Sequence, residues 1–407
     1  MEAYNRFIDY FMDFHKVRKF QEFCGLSAIE PSQDSQSSPD QSTGISSKNS
    51  QHTPHDASSP SYANAPMKSV PRSCQENKAP KKQPLNYAVN NKFLHHLFLM
   101  ASMLGTEVFY ITGIPIIFWN LDMYMARMVI TVWVVTMYLG QAAKDLLRWP
   151  RPTWPPVFKL ETRVEAEYGL PSTHAIAATS VPFTLFITAI GRYDVNIPLC
   201  FFLATCWCLL VSLSRLYVGM HSILDVMAGI ALATAYLYFG WPFMEMVNDY
   251  TIFSKYAPYI IIISHFLLAI FYPIDPDRWS TSRGDTVIIL GVGAGVHCAS
   301  WFGNYYGFNW EPAGEMPYAV ALPTLYQFGI GVVRYVFGIA VLLLVRALMK
   351  YISLLILCHA VSVPKDDEMS RRRTEIEVPY KFVTYACVGF SANFIVPMIL
   401  QHVGLVL

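Results

Sequence analysis

The sequence predicts an all-α protein, a polytopic transmembrane helix bundle of about eight to ten spans. Three observations predict it. Hydrophobic residues fill 53% of the 407 positions and charged ones only 14%, more apolar surface than a soluble domain of this size can bury. The mean hydropathy is +0.31. The apolar residues also come in blocks near the roughly 20 residues that a helix needs to cross the hydrocarbon layer.

Taken from the N-terminus, residues 1–26 place Tyr4, Phe7, Ile8, Phe11 and Phe14 at helical spacing, with Asp9, Asp13, Lys16 and Arg18 largely between them. That pattern predicts an amphipathic helix lying on the membrane or docked on the core. Residues 27–86 are rich in Ser, Pro, Gln and Asn and almost devoid of large aliphatic side chains. Such a tract buries too little apolar area to offset its conformational entropy, so it is predicted to be disordered. Spans are then expected at 96–118, 127–147, 173–190, 197–217, 222–242, 257–273, 286–303, 325–345 and 381–402, with room between Tyr326 and Val361 for one long helix or two. They divide into a core at 92–242, which carries the polar motifs, and C-terminal helices at 243–407.

Several function classes fall away early. A net charge of +1 gives no footprint for nucleic acid. Cys200, Cys206, Cys208, Cys298, Cys358 and Cys387 lie in apolar blocks, where a thiol packs as a small hydrophobe, and Cys206-x-Cys208 lacks zinc-ligand spacing. "GVGAGVH" at 291–297 resembles a nucleotide loop only on paper. Inside an apolar span, Gly291 and Gly295 read as a small-xxx-small face for helix packing.

Three polar clusters interrupt the apolar pattern. "KDLLRWPRP" supplies Lys144, Arg151 and Pro152; "PSTH" supplies Pro171, Ser172, Thr173 and His174; "SRLYVGMHSILD" supplies Ser214, Arg215, His221 and Asp225. The first closes the 127–147 span and the second opens the 173–190 span; after two further crossings the third returns to that side. Helix order alone therefore gathers them on one rim. Ionised groups at a membrane's edge are costly and mark function by default.

Their chemistry suits phosphoryl transfer. Lys144, Arg151 and Arg215 are three cations, two of them able to grip phosphate oxygens with paired bonds. Backbone amides at a helix start near Ser172 and Thr173 add donors. Two histidines allow one nucleophile and one proton donor, and Asp225, four residues after His221, stacks on the same face to orient it if the next helix begins there. Taken singly the clusters have bland readings: Lys144 as a helix-end anchor, His174 as a cap neighbour, His221 and Asp225 as a structural pair or half a metal site. With one carboxylate among three cations, the motifs attract an anion rather than a metal.

At these residues the sequence resembles the type 2 phosphatidic acid phosphatase superfamily, whose signature runs Lys-x6-Arg-Pro, Pro-Ser-Gly-His, Ser-Arg-x5-His-x3-Asp. Thr173 stands where the superfamily usually has glycine. "FQEFCGL", "TEVFYIT", "MYLGQAAKDLLRWPRP", "AEYGLPSTHA", "SRLYVGMHSILDV" and "RRRTEIEVPYKFVTY" extend the likeness to the sphingosine-1-phosphate phosphatases within it. The resemblance implies hydrolysis of sphingosine 1-phosphate and related long-chain-base phosphates in the endoplasmic reticulum membrane, with a lumenal active site and no cofactor or metal. Carried over, His221 is the nucleophile, Asp225 orients it, and His174 protonates the leaving alkoxide and then activates water. Lys144, Arg151, Ser172, Thr173 and Arg215 bind phosphate, supported by Pro152, Pro171 and Ser214. The partners implied are the bilayer and the lipid substrate, with no nucleic acid. A phosphatase for a sugar phosphate or polyprenyl diphosphate uses the same motifs; a catalytically inactive membrane adaptor would be expected to have lost one of them.

Positive-inside counting over Lys81, Lys82, Lys92 and Arg371–Arg373 places the rim in the cytosol, against the lumenal side that the resemblance implies. Glu107, inside the first span, is read as a polar pair with another span, Arg334 being one candidate, or as a contact for the substrate's ammonium group.

Overall fold

The structure, a computed structural model, describes residues 2–28, 87–161, 167–275, 280–308, 312, 314–364 and 367–405. All but two of the residues in the predicted disordered tract lie outside them. The N-terminal amphipathic stretch forms two helices, α1 (Glu2–Phe11) and α2 (Phe14–Phe23). They separate where the Asp13 side chain caps α2 by accepting from the His15 amide at 2.9 Å. A short strand β1 (Leu26–Ala28) pairs antiparallel with β2 (Tyr87–Val89). Then come α3 (Lys92–Leu104), α4 (Glu107–Asn120), α5 (Met123–Leu147), α6 (Thr173–Arg192), β3 (Tyr193–Asp194), α7 (Ile197–Tyr217) and α8 (Ile223–Gly240). A 3-10 turn leads into α9 (Met244–Phe253) and α10 (Ala257–Ile270), followed by α11 (Ser282–Tyr306), β4 (Tyr318–Ala319), α12 (Leu325–Ala360), α13 (Glu368–Arg371) and α14 (Thr374–Phe390). One π-helical turn joins α14 to α15 (Val396–His402).

Among the described residues, seven helices are long and apolar enough to cross a membrane, and the pair α3–α4, bent by 68°, adds an eighth if counted as one span. The protein is a multi-pass membrane protein. The expected 257–273 span is the shorter α10, 14 residues long. It still traverses the bundle, because just beyond it the Tyr272 hydroxyl donates to Asp145 at 2.8 Å, beside the C-terminal end of α5. The stretch between Tyr326 and Val361 belongs to one helix of 36 residues, Leu325–Ala360, capped at Thr324 by a reciprocal bond with Gln327.

The core centres on α5 and α11, both largely buried. Gly291 and Gly295 lie where α11 meets α14: a Cβ on Gly291 would stand 2.8 Å from the Phe382 carbonyl oxygen, and one on Gly295 2.0 Å from that of Ala386. Only glycine lets the two backbones approach this closely.

Contacts fix which helix ends share a face. At one end Arg192 bonds Asp122 at 2.9 Å and Tyr193 pairs with Tyr318. Arg334 also sits at that end, donating to the backbone carbonyls of Leu405 and Trp119. The side chain of Glu107, its suggested partner, lies outside the described residues. At the other end the α5 C-terminus, α6 N-terminus, α7 C-terminus and α8 N-terminus meet, as helix order predicts. α2 docks on this same rim through Gln21, which is fully buried. Its amide donates to the carbonyls of Phe158 and Tyr217 at 2.7 and 2.8 Å and accepts from the Phe158 amide at 3.0 Å. The N-terminal helices and the polar motifs therefore face one side of the membrane.

Candidate active site

Lys144, in the last turn of α5, is fully buried. Its ammonium donates to Glu167 at 3.1 Å and to the Thr173 hydroxyl at 3.2 Å. The residue standing where glycine is usual thus supplies a side-chain acceptor. Arg151 lies in the connection beyond α5. Its Nε donates to the Glu167 carbonyl at 2.9 Å, one Nη to the Met220 carbonyl at 3.2 Å and the other to the Glu167 carboxylate at 3.4 Å.

α6 begins at Thr173 because Ser172 caps it, its hydroxyl accepting from the Ala175 amide at 3.4 Å. The Ser172 amide in turn donates to the Asp225 carbonyl at 2.9 Å, which ties the second motif to the third. The early amides of α6 have no partner within the helix, leaving an electropositive end at the site. The third motif turns at Gly219, with φ of +74°, where a Cβ would lie 2.0 Å from the Phe158 carbonyl oxygen. That turn brings His221 back over Arg215, and α8 opens with a capping box between Ser222 and Asp225.

His221 is 1% exposed and held between charges of opposite sign. Its Nε2 stands 3.2 Å from an Arg151 Nη, and its Nδ1 stands 3.6 Å from the Asp225 carboxylate. A guanidinium only donates, so Nε2 is the unprotonated acceptor and the ring proton sits on Nδ1, facing Asp225. The Nδ1 separation exceeds a hydrogen bond, as is common before a reacting group fills a site. Burial, with Arg151, Arg215, Lys144 and His174 adding to it, holds the His221 pKa well below the ordinary imidazole value. The ring is neutral near pH 7, with a lone pair aimed among the cations.

Arg215 is fully buried, and one Nη donates to the Ser102 hydroxyl at 2.5 Å and to Glu161 at 3.0 Å. Its Nε and other Nη are buried without a hydrogen-bond partner among the described residues. A buried donor left unpaired is costly, so this free edge is poised to take an anion. Arg151, Thr173, His174, Arg215 and His221 line one small cavity together with Thr106, Glu161 and Glu167. Lys144, Ser172 and Asp225 stand directly behind it. Pro152 and Pro171 are buried off its wall, and the Ser214 hydroxyl is spent on the Val211 carbonyl of its own helix at 2.6 Å.

Two carboxylates escaped the sequence reading. Glu167 bridges Lys144 and Arg151 and accepts from Thr281. Its burial opposes ionisation, but Lys144, Arg151 and these hydrogen bonds outweigh it and keep its pKa below the usual carboxylate value. Glu161 sits on Arg215. The balance of three cations against one carboxylate, read from the motifs, is therefore corrected: Glu161 and Glu167 accompany Asp225. Thr281 and Asp285 reach the site from beyond the expected 92–242 core. Also unforeseen is the break between α3 and α4. A Cβ on Gly105 would lie 2.4 Å from the His174 ring, so this kink makes room for the second histidine. Among the described residues no group of three or more His, Cys, Asp or Glu is placed to hold a metal ion.

A neutral histidine, a second histidine and an anion clamp at the rim of a helix bundle define the chemistry of a membrane phosphatase. The family model described as the PAP2 superfamily matches residues 125–249, from the first turn of α5 into α9. Sphingosine-1-phosphate phosphatase 2 of Homo sapiens is 43% identical over 332 residues, covering 80% of this chain and 82% of that one. Sphingosine-1-phosphate phosphatase 1 of Mus musculus is 42% identical over 319 residues, 78% of this chain and 74% of that one. A dihydrosphingosine 1-phosphate phosphatase of Schizosaccharomyces pombe is 27% identical over 219 residues, about half of each chain. The chain belongs to the PAP2 superfamily and, within it, to the family of the sphingosine-1-phosphate phosphatases. It is a phosphatase. No solved structure matches it.

Proposed function

We propose that the protein hydrolyses sphingosine 1-phosphate and related dihydro and phyto long-chain-base phosphates to the free base and inorganic phosphate. The observation that carries this reading is His221, its Nδ1 toward Asp225 and its Nε2 among Lys144, Arg151 and Arg215. The relatives' names supply the lipid class.

In this account the phosphate occupies the free edge of Arg215 and the start of α6, with Arg151 on a second oxygen and Lys144 and Thr173 behind. Nε2 of His221 attacks phosphorus, the bond from phosphorus to the lipid oxygen breaks, and His174 gives that oxygen a proton. Asp225 holds the Nδ1 proton and stabilises the positive charge that grows on the ring. His174 then takes a proton from water, the hydroxide displaces His221, and phosphate leaves. The protein's own cations carry the phosphate charge, so no metal is required.

The substrate keeps its chain in the bilayer while its head reaches the rim. The resemblance supports an endoplasmic reticulum membrane with that rim lumenal, and the docking of α2 then puts residues 2–23 on the lumenal side too. Cysteine-accessibility labelling from each side of sealed microsomes tests this. For the activity, purified wild-type protein and His221→Ala are assayed against phosphorylated lipids and sugars. Wild type is expected to turn over the long-chain-base phosphate and not glucose 6-phosphate, and the variant neither; comparable turnover of the sugar phosphate removes the lipid assignment.

A further inference from the structure

We infer that Glu161 is the specificity residue for the amine of the substrate, reading the positive charge on the carbon next to the phosphate-bearing one. The inference rests on the proposed function and extends it to a residue outside the three motifs.

Two carboxylates of the connection between α5 and α6 reach the site. Glu167 is 5% exposed, bridges Lys144 and Arg151 and accepts from Thr281, so its charge is consumed. Glu161 differs. It bonds one nitrogen of Arg215 at 3.0 Å, its side chain is 26% exposed, and it lines the cavity. Arg215 thus offers two distinct edges. One Nη is taken by Glu161 and Ser102, while Nε and the other Nη have no partner. A phosphate gripped by the free edge with two parallel bonds leaves the pair with Glu161 intact. The carboxylate then lies one guanidinium away from the phosphate, on the open side of the site. In a long-chain-base 1-phosphate the ammonium is on the carbon beside the phosphate-bearing one, and it is the only cation in the molecule. Its short tether brings it to the oxygens of Glu161 once the phosphate is seated.

Electrostatics point the same way. Without a cation on the substrate, Glu161 faces a dianionic phosphate across Arg215 and repels it. With the ammonium present the repulsion becomes attraction. Discrimination of this kind favours a lipid with a free amine over one of equal length and charge at phosphate that carries a hydroxyl there.

The test compares kcat/KM for a long-chain-base phosphate and for a monoacylglycerol phosphate, which has a hydroxyl in place of the amine, in wild type, Glu161→Gln and Glu161→Asp. Wild type is expected to prefer the amine. Glu161→Gln should lower the preference roughly 10- to 100-fold, as loss of a charged hydrogen bond to substrate does, by slowing the amine substrate and speeding the other. Glu161→Asp keeps the charge and should restore part of the preference. Equal losses on both lipids in Glu161→Gln show that Glu161 only balances Arg215 and overturn the inference, while leaving the phosphatase reading intact. Should Glu161→Gln fail to fold, wild type assayed on the N-acetylated base phosphate decides, and undiminished turnover overturns the inference. If wild type hydrolyses none of these lipids, the proposed function falls and the inference with it.

Discussion

Asp225→Asn separates the two jobs that the structure gives one carboxylate. Asp225 is a capping residue, since it accepts from the Ser222 amide at 2.7 Å. It also faces Nδ1 of His221 at 3.6 Å. An asparagine keeps an acceptor for the Ser222 amide, so the start of α8 should hold, with a stability loss below about 1 kcal/mol. Both contacts use the same carboxylate oxygen, so the asparagine oxygen that keeps the cap also faces Nδ1, and what is lost is the negative charge that stabilises the ring as it becomes positive. Replacing the carboxylate by an amide in a histidine–carboxylate pair of this kind costs about 10⁴ in rate, or about 5 kcal/mol of barrier. The assay is kcat on a long-chain-base phosphate in mixed micelles, with the melting temperature measured on the same preparations. Ser222→Ala is the control. It removes the other half of the cap, the hydroxyl that accepts from the Asp225 amide at 3.2 Å, and should cost about 1 kcal/mol of stability with little effect on rate. An Asp225→Asn enzyme within tenfold of wild type would refute the role of the Asp225 charge in the reaction and leave Asp225 as a cap.

Other expectations follow from the same geometry. Gly105→Ala drives a methyl group to 2.4 Å from the His174 ring; kcat should fall at least tenfold while the melting temperature moves little, and an unchanged kcat would remove His174 from the reaction. Gln21→Ala strands the carbonyls of Phe158 and Tyr217 and the Phe158 amide, at about 1–3 kcal/mol for a buried group left unpaired, so thermal melting should shift down by several degrees. Treatment with EDTA should leave turnover unchanged while vanadate inhibits, and a strict need for added magnesium would contradict a site that relies on its own cations.

The catalytic half of the fold was legible because its signals are local. Apolar blocks bounded by caps put α6 at Thr173 and α7 at Ile197 and Tyr217, where the sequence pattern has them. Helix order then brought three motifs to one rim, which needs only the counting of crossings. What escaped depends on contacts between distant segments. Glu161 and Glu167 lie in an irregular connection, where no periodicity says which carboxylate turns inward. Their pairing with Arg215, Lys144 and Arg151 exists only in three dimensions. The break before α4 did carry a signal, Gly105 followed by Thr106 as an N-cap. An apolar span read by hydropathy alone passes over it. The division of the N-terminal helix at Asp13 was missed likewise, since continuous amphipathic spacing masks a cap.

In the proposed mechanism His221 takes the phosphoryl group. Wild-type protein quenched within one turnover of ³²P-labelled long-chain-base phosphate should carry acid-labile, base-stable label on the peptide containing His221. His221→Ala should carry none, and His174→Ala should form any label slowly and lose it slowly. Label on His174 in the wild type, or inversion of configuration at a chiral phosphorus where two displacements require retention, would contradict the account.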